Sequence, residues 1–288
     1  MGWPGRRPRG DRASLPQGPG GRMSDAKRAA EHLRGWMGTA SPSLAVVLGS
    51  GLGGISESLE ERKTIPFTEI PGFPSAGVAG HAGFLHSGIW GGRPVLLFQG
   101  RVHLYEGHPL RTVTLPARTA AELGVSRLVL TNAAGSCDRE MSPGTLMRAS
   151  DLIDLFFRRL REGMASPRIG AAPLLDPALG ELLDRAACLS GVELRTGALC
   201  GSSGPSYETA AEIRLWRRLG ARAACMSTIP EAFAARRAGV RVAAISLITN
   251  YGTGIAGRPL SHEEVVEWAA VAGERLARLL RKAVEMDG

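Results

Sequence analysis

Three stretches of this chain carry side chains able to do chemistry, and each follows an apolar run. Val46-Val47-Leu48 leads into Gly49-Ser50-Gly51-Leu52-Gly53-Gly54. Glycines there let backbone amides approach an anion, and a following helix would add positive potential. The P-loop lysine is absent. The dinucleotide fingerprint is incomplete too, since no acidic residue closes a second strand about twenty residues on. A glycine turn without an anion remains an equal reading of this segment alone. The second stretch is Gln99-Gly100-Arg101-Val102-His103-Leu104-Tyr105-Glu106-Gly107-His108. Arg101 and His103 stand two apart on an extended segment, so both can grip one small anion, and Tyr105 continues that side. The third is Gly204-Pro205-Ser206-Tyr207-Glu208-Thr209, where a strand turns into a helix. Tyr207 can stack on a planar ligand and Glu208 can accept its N–H groups, although a carboxylate at a helix start is also an ordinary favourable charge. His81, in Gly80-His81-Ala82-Gly83, is a further loop imidazole. Met226-Ser227-Thr228-Ile229-Pro230-Glu231 and Leu247-Ile248-Thr249-Asn250 place small polar groups at the ends of apolar strands.

These segments need a scaffold that brings strand ends together. Strands are expected at Leu44–Leu48, Pro94–Phe98, Arg127–Thr131, Leu194–Leu199, Ala221–Met226 and Val240–Ile248. Phe84–Ile89, Gly91-Gly92 and Pro94–Phe98 read as an antiparallel hairpin. Helices are expected at Ser24–Met37, Leu110–Leu123, Asp151–Arg161, Pro177–Leu189, Thr209–Leu219, Pro230–Arg237 and Ser261–Val284. Thr209 with Glu212 and Ser261 with Glu264 form capping boxes. Short β-branched runs alternating with helices imply a single α/β domain over residues 23–288, with a mixed, mostly parallel sheet flanked by helices. Ligands then bind at the strand ends.

Composition narrows the function classes. The 288 residues are 44% hydrophobic and 22% charged, with 38 glycines that mostly fall between apolar runs, as in an enzyme whose backbone approaches ligands. The net charge of +8 is uneven, because residues 1–22 hold five arginines against Asp11 alone. That Gly-, Pro- and Arg-rich stretch is expected to be a disordered basic leader. Elsewhere Arg and Glu are interspersed as on a solvated surface, which argues against nucleic acid as the main partner. No apolar run reaches the ~18 residues of a membrane span. Cys137, Cys188, Cys200 and Cys225 show no metal-ligand spacing and suit buried roles in a reducing cytoplasm. No metal or other cofactor is expected.

Taken together, these segments resemble the trimeric class of the purine nucleoside phosphorylases, in order, over most of residues 44–284. The match also includes Thr131-Asn132-Ala133-Ala134-Gly135 and Ser261-His262-Glu263-Glu264-Val265. The resemblance implies phosphorolysis of inosine- or guanosine-type nucleosides by a homotrimer. It implies a phosphate site of Ser50, His81, Arg101, His103, the Ala133 amide and Ser227, with the Arg101 guanidinium touching only the anion. Ribose would lie against Met226, Tyr105 and His262. The purine would lie against Tyr207, Glu208, Asn250 and Gly135, with Glu208, Asn250 and His103 as the catalytic groups. Related methylthioadenosine phosphorylases use an Asp where Thr249-Asn250 stands here, which favours 6-oxopurines. The chain departs from the family after Gly135, at Ser136-Cys137-Asp138, and again over 155–176. In the family that second segment carries an aromatic to a neighbouring subunit's ribose, yet none lies between Arg158 and Asp176; Phe156 and Phe157 sit in a helical, core-like pattern. A modified-nucleoside phosphorylase (5′-methylthio or xanthine type), a catalytically weak nucleoside-binding trimer, and a nucleic-acid adaptor using the basic leader are the competing readings.

Deleting residues 1–22 is expected to leave melting temperature and turnover unchanged, because the segment has too little apolar surface to dock. A large fall in either, measured side by side with the full chain, would show that it packs on the domain.

Overall fold

The computed structural model describes residues 23–75, 83–156, 173–256 and 262–287. The leader, His81, Phe157 and Ser261 lie outside the described residues, as does the side chain of His262.

The chain opens with helix α1 (Asp25–Met37), capped by the Ser24 hydroxyl, which accepts from the Lys27 amide at 3.3 Å. Strand β1 (Leu44–Leu48) follows. It is buried on both faces, Ala45 and Val47 packing into one core and Leu44, Val46 and Leu48 into the other. That two-sided burial is why its sequence is an unbroken apolar run. Strands β2 (Glu60–Pro66), β3 (Phe84–Trp90) and β4 (Arg93–Gln99) form an antiparallel meander, with the expected hairpin at Gly91-Gly92. Then come α2 (Leu110–Val113), α3 (Leu115–Glu122), β5 (Arg127–Ser136), β6 (Leu146–Asp154), α4 (Pro177–Leu189) and β7 (Leu194–Gly201). The chain ends with α5 (Ala210–Arg218), β8 (Ala221–Cys225), α6 (Ile229–Arg237), β9 (Arg241–Tyr251) and α7 (His262–Met286).

The sheet order is β2-β3-β4-β1-β5-β8-β7-β6-β9, and β9 also pairs with β5. Strands β5, β8, β7, β6 and β9 therefore close into a ring that shares β5 with the open sheet. Among the described residues five of the nine pairings are parallel, so the sheet is mixed as expected. Helices α1, α3 and α6 cover one face, and α4 and α7 the other. Thr209 caps α5 through the expected box with Glu212.

Three sequence readings are corrected. Asp151–Arg161 is not a helix in its described part: Leu146–Asp154 is a strand, parallel to β7 and antiparallel to β9. A register shift between Ala149 and Leu152 breaks the alternation and leaves Leu152, Leu155 and Phe156 at helix-like spacing. Phe156 is core, packed with Val102, Leu104, Val113 and Ile229, but it follows a strand. Leu110–Leu123 is two helices broken at Thr114, because Pro116 brings no N–H to continue the ladder. Strand β2 was not anticipated: Glu60, Glu61, Arg62 and Lys63 are exposed, Glu61 is left-handed at φ 50°, and Ile65 alone is fully buried. A charged edge strand gives no apolar alternation to read.

Of the four cysteines, all free, Cys137, Cys200 and Cys225 are buried as expected, whereas Cys188 on α4 is exposed.

The end of β1 is fixed to β5 by one hydroxyl. Thr131 Oγ1 accepts the Gly49 amide at 3.0 Å and donates to the Val47 carbonyl at 2.9 Å. Replacing Thr131 by Val removes the hydroxyl that makes both bonds at nearly constant shape, and leaves the Gly49 amide and the Val47 carbonyl short of a bond. A loss of about 1–3 kcal/mol is expected in denaturant melts; an unchanged midpoint would show that the turn holds itself.

Candidate active site

The carboxyl ends of β1, β4, β5, β8 and β9, with the loop after β7, meet at a cleft of about 160 Å³. Gly49 and Ser50 line it from the first turn. Gly49 has to be glycine, since a Cβ there would stand 2.7 Å from Asn132 Cα. Farther along the same turn, a Cβ on Gly53 would overlap the side-chain amide of Gln99. Gln99 is in turn oriented by buried His86, whose Nε2 donates to its Oε1 at 2.6 Å while Nδ1 accepts from Thr64 Oγ1 at 2.9 Å. Burial holds the His86 ring below its ordinary pKa of 6.5, so it stays neutral in this chain of bonds.

Arg101, His103 and Tyr105 reach the same cleft from the segment after β4. The backbone does not stay extended through Tyr105 but tightens into a single 3₁₀ turn at Leu104–Glu106. Tyr105 nevertheless joins the wall by stacking on His103, with centroids 4.7 Å apart and planes 14° off parallel. Arg101 is 4% exposed. Its guanidinium is also held by groups of the protein. Nη1 donates to Ser227 Oγ at 2.8 Å, Nη2 donates to the Thr131 carbonyl at 2.7 Å, and Glu231 Oε2 lies 3.7 Å from Nη1. A buried guanidinium requires such partners whether or not a ligand is present.

The Glu106 carboxylate assigns the proton on His103. Glu106 Oε1 accepts the His103 amide at 2.7 Å and the ring Nδ1–H at 2.9 Å. With Nδ1 carrying the hydrogen, Nε2 is an acceptor, matched to a hydroxyl or to a protonated phosphate oxygen rather than to a bare oxyanion. The Glu106 carboxylate favours a charged ring, but burial first and the Arg101 charge second prevail and lower the His103 pKa to about 3.

Ser227 and Met226 enter from the end of β8. Thr228 follows at φ 67°, ψ −53°, and the Ile229 amide donates to the Ser227 carbonyl at 2.7 Å across it. A threonine in this conformation is costly unless its neighbours fix it. They do so here: Asn132 Nδ2 donates to Thr228 Oγ1 at 3.0 Å, and the Thr228 amide donates to Glu231 Oε2 at 3.3 Å. Glu231 is 1% exposed, and burial pushes its carboxyl up while Arg101 pulls it partly back.

The other end of the cleft holds Tyr207, Glu208, Gly135 and Asn250. Tyr207 is 49% exposed, a ring presented to the opening. Burial raises the Glu208 carboxyl above its usual range, partly offset by its own backbone amide and by Ser202, whose hydroxyl donates at 3.4 Å. Asn250 pairs with Gly135 across β5–β9 and has a fixed amide: Oδ1 accepts from Thr249 Oγ1 at 2.8 Å, and Nδ2 donates to the Tyr251 carbonyl at 3.1 Å. Nearby, the buried thiols of Cys137 and Cys225 are pushed up to about 12 and about 11, chiefly by burial, so neither is a nucleophile.

The structure thus brings Ser50, Arg101, His103, Tyr105, Ala133, Gly135, Tyr207, Glu208, Met226, Ser227 and Asn250 to one cleft. His81 and the His262 side chain lie outside the described residues. Asn132, Thr249, Gly49 and Ala224 also line the cleft without having been singled out, although the first three stand in segments already noted. Glu231 and Thr131 were hidden because their roles depend on contacts with distant strands. Among the described residues no group of three His, Cys, Asp or Glu could hold a metal ion, and no helix is long and apolar enough to cross a membrane.

Residues 43–285 match the family model of the phosphorylase superfamily, and the chain belongs to that family. It is 40% identical over 245 residues to purine nucleoside phosphorylase 1 of Geobacillus stearothermophilus, spanning 79% of this chain and 85% of that one. It is likewise 40% identical over 261 residues to the purine nucleoside phosphorylase of Mycobacterium tuberculosis, spanning 90% and 95%. The Schistosoma mansoni purine nucleoside phosphorylase in complex with inosine superposes with a TM-score of 0.81 at 31% identity, covering 92% of this chain and 96% of that one.

The His103 assignment has a pH signature. The ring stays neutral in the folded protein down to about pH 3, whereas in the unfolded chain it takes a proton near 6.5. Its contribution to stability is therefore complete above pH 6.5 and is lost as pH falls from there toward 3. Melting temperature measured across that window should decline less steeply in His103→Gln than in the parent. Parallel curves would mean that His103 is charged in the folded state.

Proposed function

We propose that the protein is a purine nucleoside phosphorylase, which splits a purine nucleoside with phosphate into free base and pentose 1-phosphate. The observation that carries this reading is the division of the cleft. Hydroxyl, guanidinium and backbone donors gather at one end (Ser50, Arg101, Ser227 and the Ala133 segment), with a carboxylate and an amide at the other (Glu208 and Asn250). Phosphate would occupy the first end, with His81 added. Ribose would lie between, against Met226, Tyr105 and His262. The purine would pack on Tyr207, its edge bonded by Glu208 and Asn250 beside Gly135.

Cleavage of the glycosidic bond builds positive charge on the sugar and negative charge on the departing purine. Phosphate stabilises the first and then captures it at the anomeric carbon. Glu208 holds the purine ring N–H. Asn250 presents an N–H whose bond strengthens as charge flows into the base, which is how a preorganised donor accelerates the step. His103, neutral with Nε2 as acceptor, accepts a hydrogen bond from a protonated phosphate oxygen or from a sugar hydroxyl. No step requires a cofactor.

The finer parts of the proposal are a preference for 6-oxopurines, a homotrimer, and action in the cytoplasm. Asn250 and its resemblance-based contrast with an Asp support the first. The overall resemblance supports the second, and four free thiols suit a reducing compartment.

A panel of nucleosides assayed with and without phosphate tests the reaction; base release that does not depend on phosphate would refute it. Asn250→Asp tests the base-reading role. The carboxylate would face both the Tyr251 carbonyl and the oxygen of a 6-oxopurine with acceptors only. Turnover of inosine should fall about 10²–10³-fold, the scale for one preorganised donor, and that of adenosine far less. An unaltered inosine-to-adenosine ratio at saturating phosphate would leave Asn250 a structural residue.

A further inference from the structure

Glu231 stands in the first turn of α6, 1% exposed, directly behind the phosphate-facing wall. One carboxylate oxygen, Oε2, accepts the Thr228 amide at 3.3 Å and faces Arg101 Nη1 at 3.7 Å. The other, Oε1, is buried and makes no hydrogen bond among the described residues. A helix cap alone does not account for this placement. Glu231 does close a capping box with Thr228, but a surface-directed carboxylate would do the same without the cost of burial. The carboxylate sits where the Arg101 charge needs an opposite one. The same Nη1 that faces Glu231 donates to Ser227 Oγ at 2.8 Å, and both Arg101 and Ser227 line the cleft. The guanidinium therefore stands between a fixed anion on one side and the place of an exchangeable anion on the other.

We propose that Glu231 is the resident counter-ion of Arg101, and that incoming phosphate competes with it, so that this carboxylate sets how tightly phosphate and the phosphorylated sugar are held. Glu231 touches neither and is a positioning residue. With the cleft empty, its carboxylate faces the buried guanidinium at 3.7 Å and offsets part of that charge. With phosphate present, it opposes two added negative charges through a low-dielectric wall and shares the guanidinium with them. Binding is thereby weakened, and a pentose 1-phosphate product can leave. The inference rests on the reading that places phosphate at Arg101 and Ser227.

Glu231→Gln tests it, because the amide keeps the shape and an acceptor for the Thr228 amide while removing the charge. The ligand-free variant should melt lower than the parent, and the rise in melting temperature on adding inorganic phosphate should be larger. Calorimetry should give a phosphate Kd about tenfold tighter, with stronger product inhibition by pentose 1-phosphate and unchanged purine affinity. A folded variant whose phosphate Kd is equal to or weaker than the parent's overturns the proposal and leaves Glu231 a helix cap. Should E231Q fail to fold, Arg101→Gln is compared with the charge-neutral double variant carrying both substitutions. The double variant should bind phosphate at least about fivefold more tightly than Arg101→Gln alone, and equal affinities overturn the proposal. Ser227→Ala separates the premise from the inference. Weakened phosphate binding in S227A upholds the phosphate site, whereas unchanged binding removes both the site and the competition.

Discussion

The arrangement turns on a guanidinium that cannot be left alone in a protein interior. Arg101 is carried past the end of β4, and its guanidinium reaches the end of β5 through Thr131, the β8–α6 turn through Ser227, and the first turn of α6 through Glu231. Each partner is held by something else. Thr131 is bound to β1, Ser227 is followed by a left-handed threonine, and that threonine is fixed by Asn132 and Glu231. Four strand ends are thereby set relative to one another by the need to satisfy one charge. The same need gives the cleft its donors at fixed places before any ligand arrives, which is the preorganisation an oxyanion site requires.

The opposite end of the cleft is built on a different economy. Glu208 lies in a loop, Tyr207 is half exposed, and only Asn250 is rigidly placed, its amide oriented by Thr249 and the Tyr251 carbonyl. One group at this end is thus locked by its neighbours, while the other two are held by fewer contacts.

Much of this was legible in the chain because the signals were local. The run Leu44–Leu48 is apolar at every position since both its faces are buried, and Gly49 after it marks where backbone comes within contact of β5. Thr209 and Glu212 announce the start of α5 by themselves. What failed depended on partners far away in sequence. Residues 146–154 look helical because a register shift disrupts the alternation of a strand whose existence depends on β7 and β9. Strand β2 is nearly all charge and owes its extension to β3. Arg101 was readable as a binding residue but not as a hub, because neither Glu231 nor Thr131 lies within hydrogen-bonding range in sequence. The tautomer of His103 likewise depends on Glu106, three residues on, whose direction no spacing rule reveals.

The closed ring carries a consequence for how copies of this chain meet. Because β9 returns to β5, the described sheet has one open margin, at β2. That margin presents Glu60, Glu61, Arg62 and Lys63 to solvent, with a left-handed Glu61 interrupting its pairing groups. Such a border resists docking with a second strand from another molecule, so edge-to-edge growth into ordered aggregates is disfavoured. Any assembly of copies would have to use helix and loop surfaces rather than this strand border.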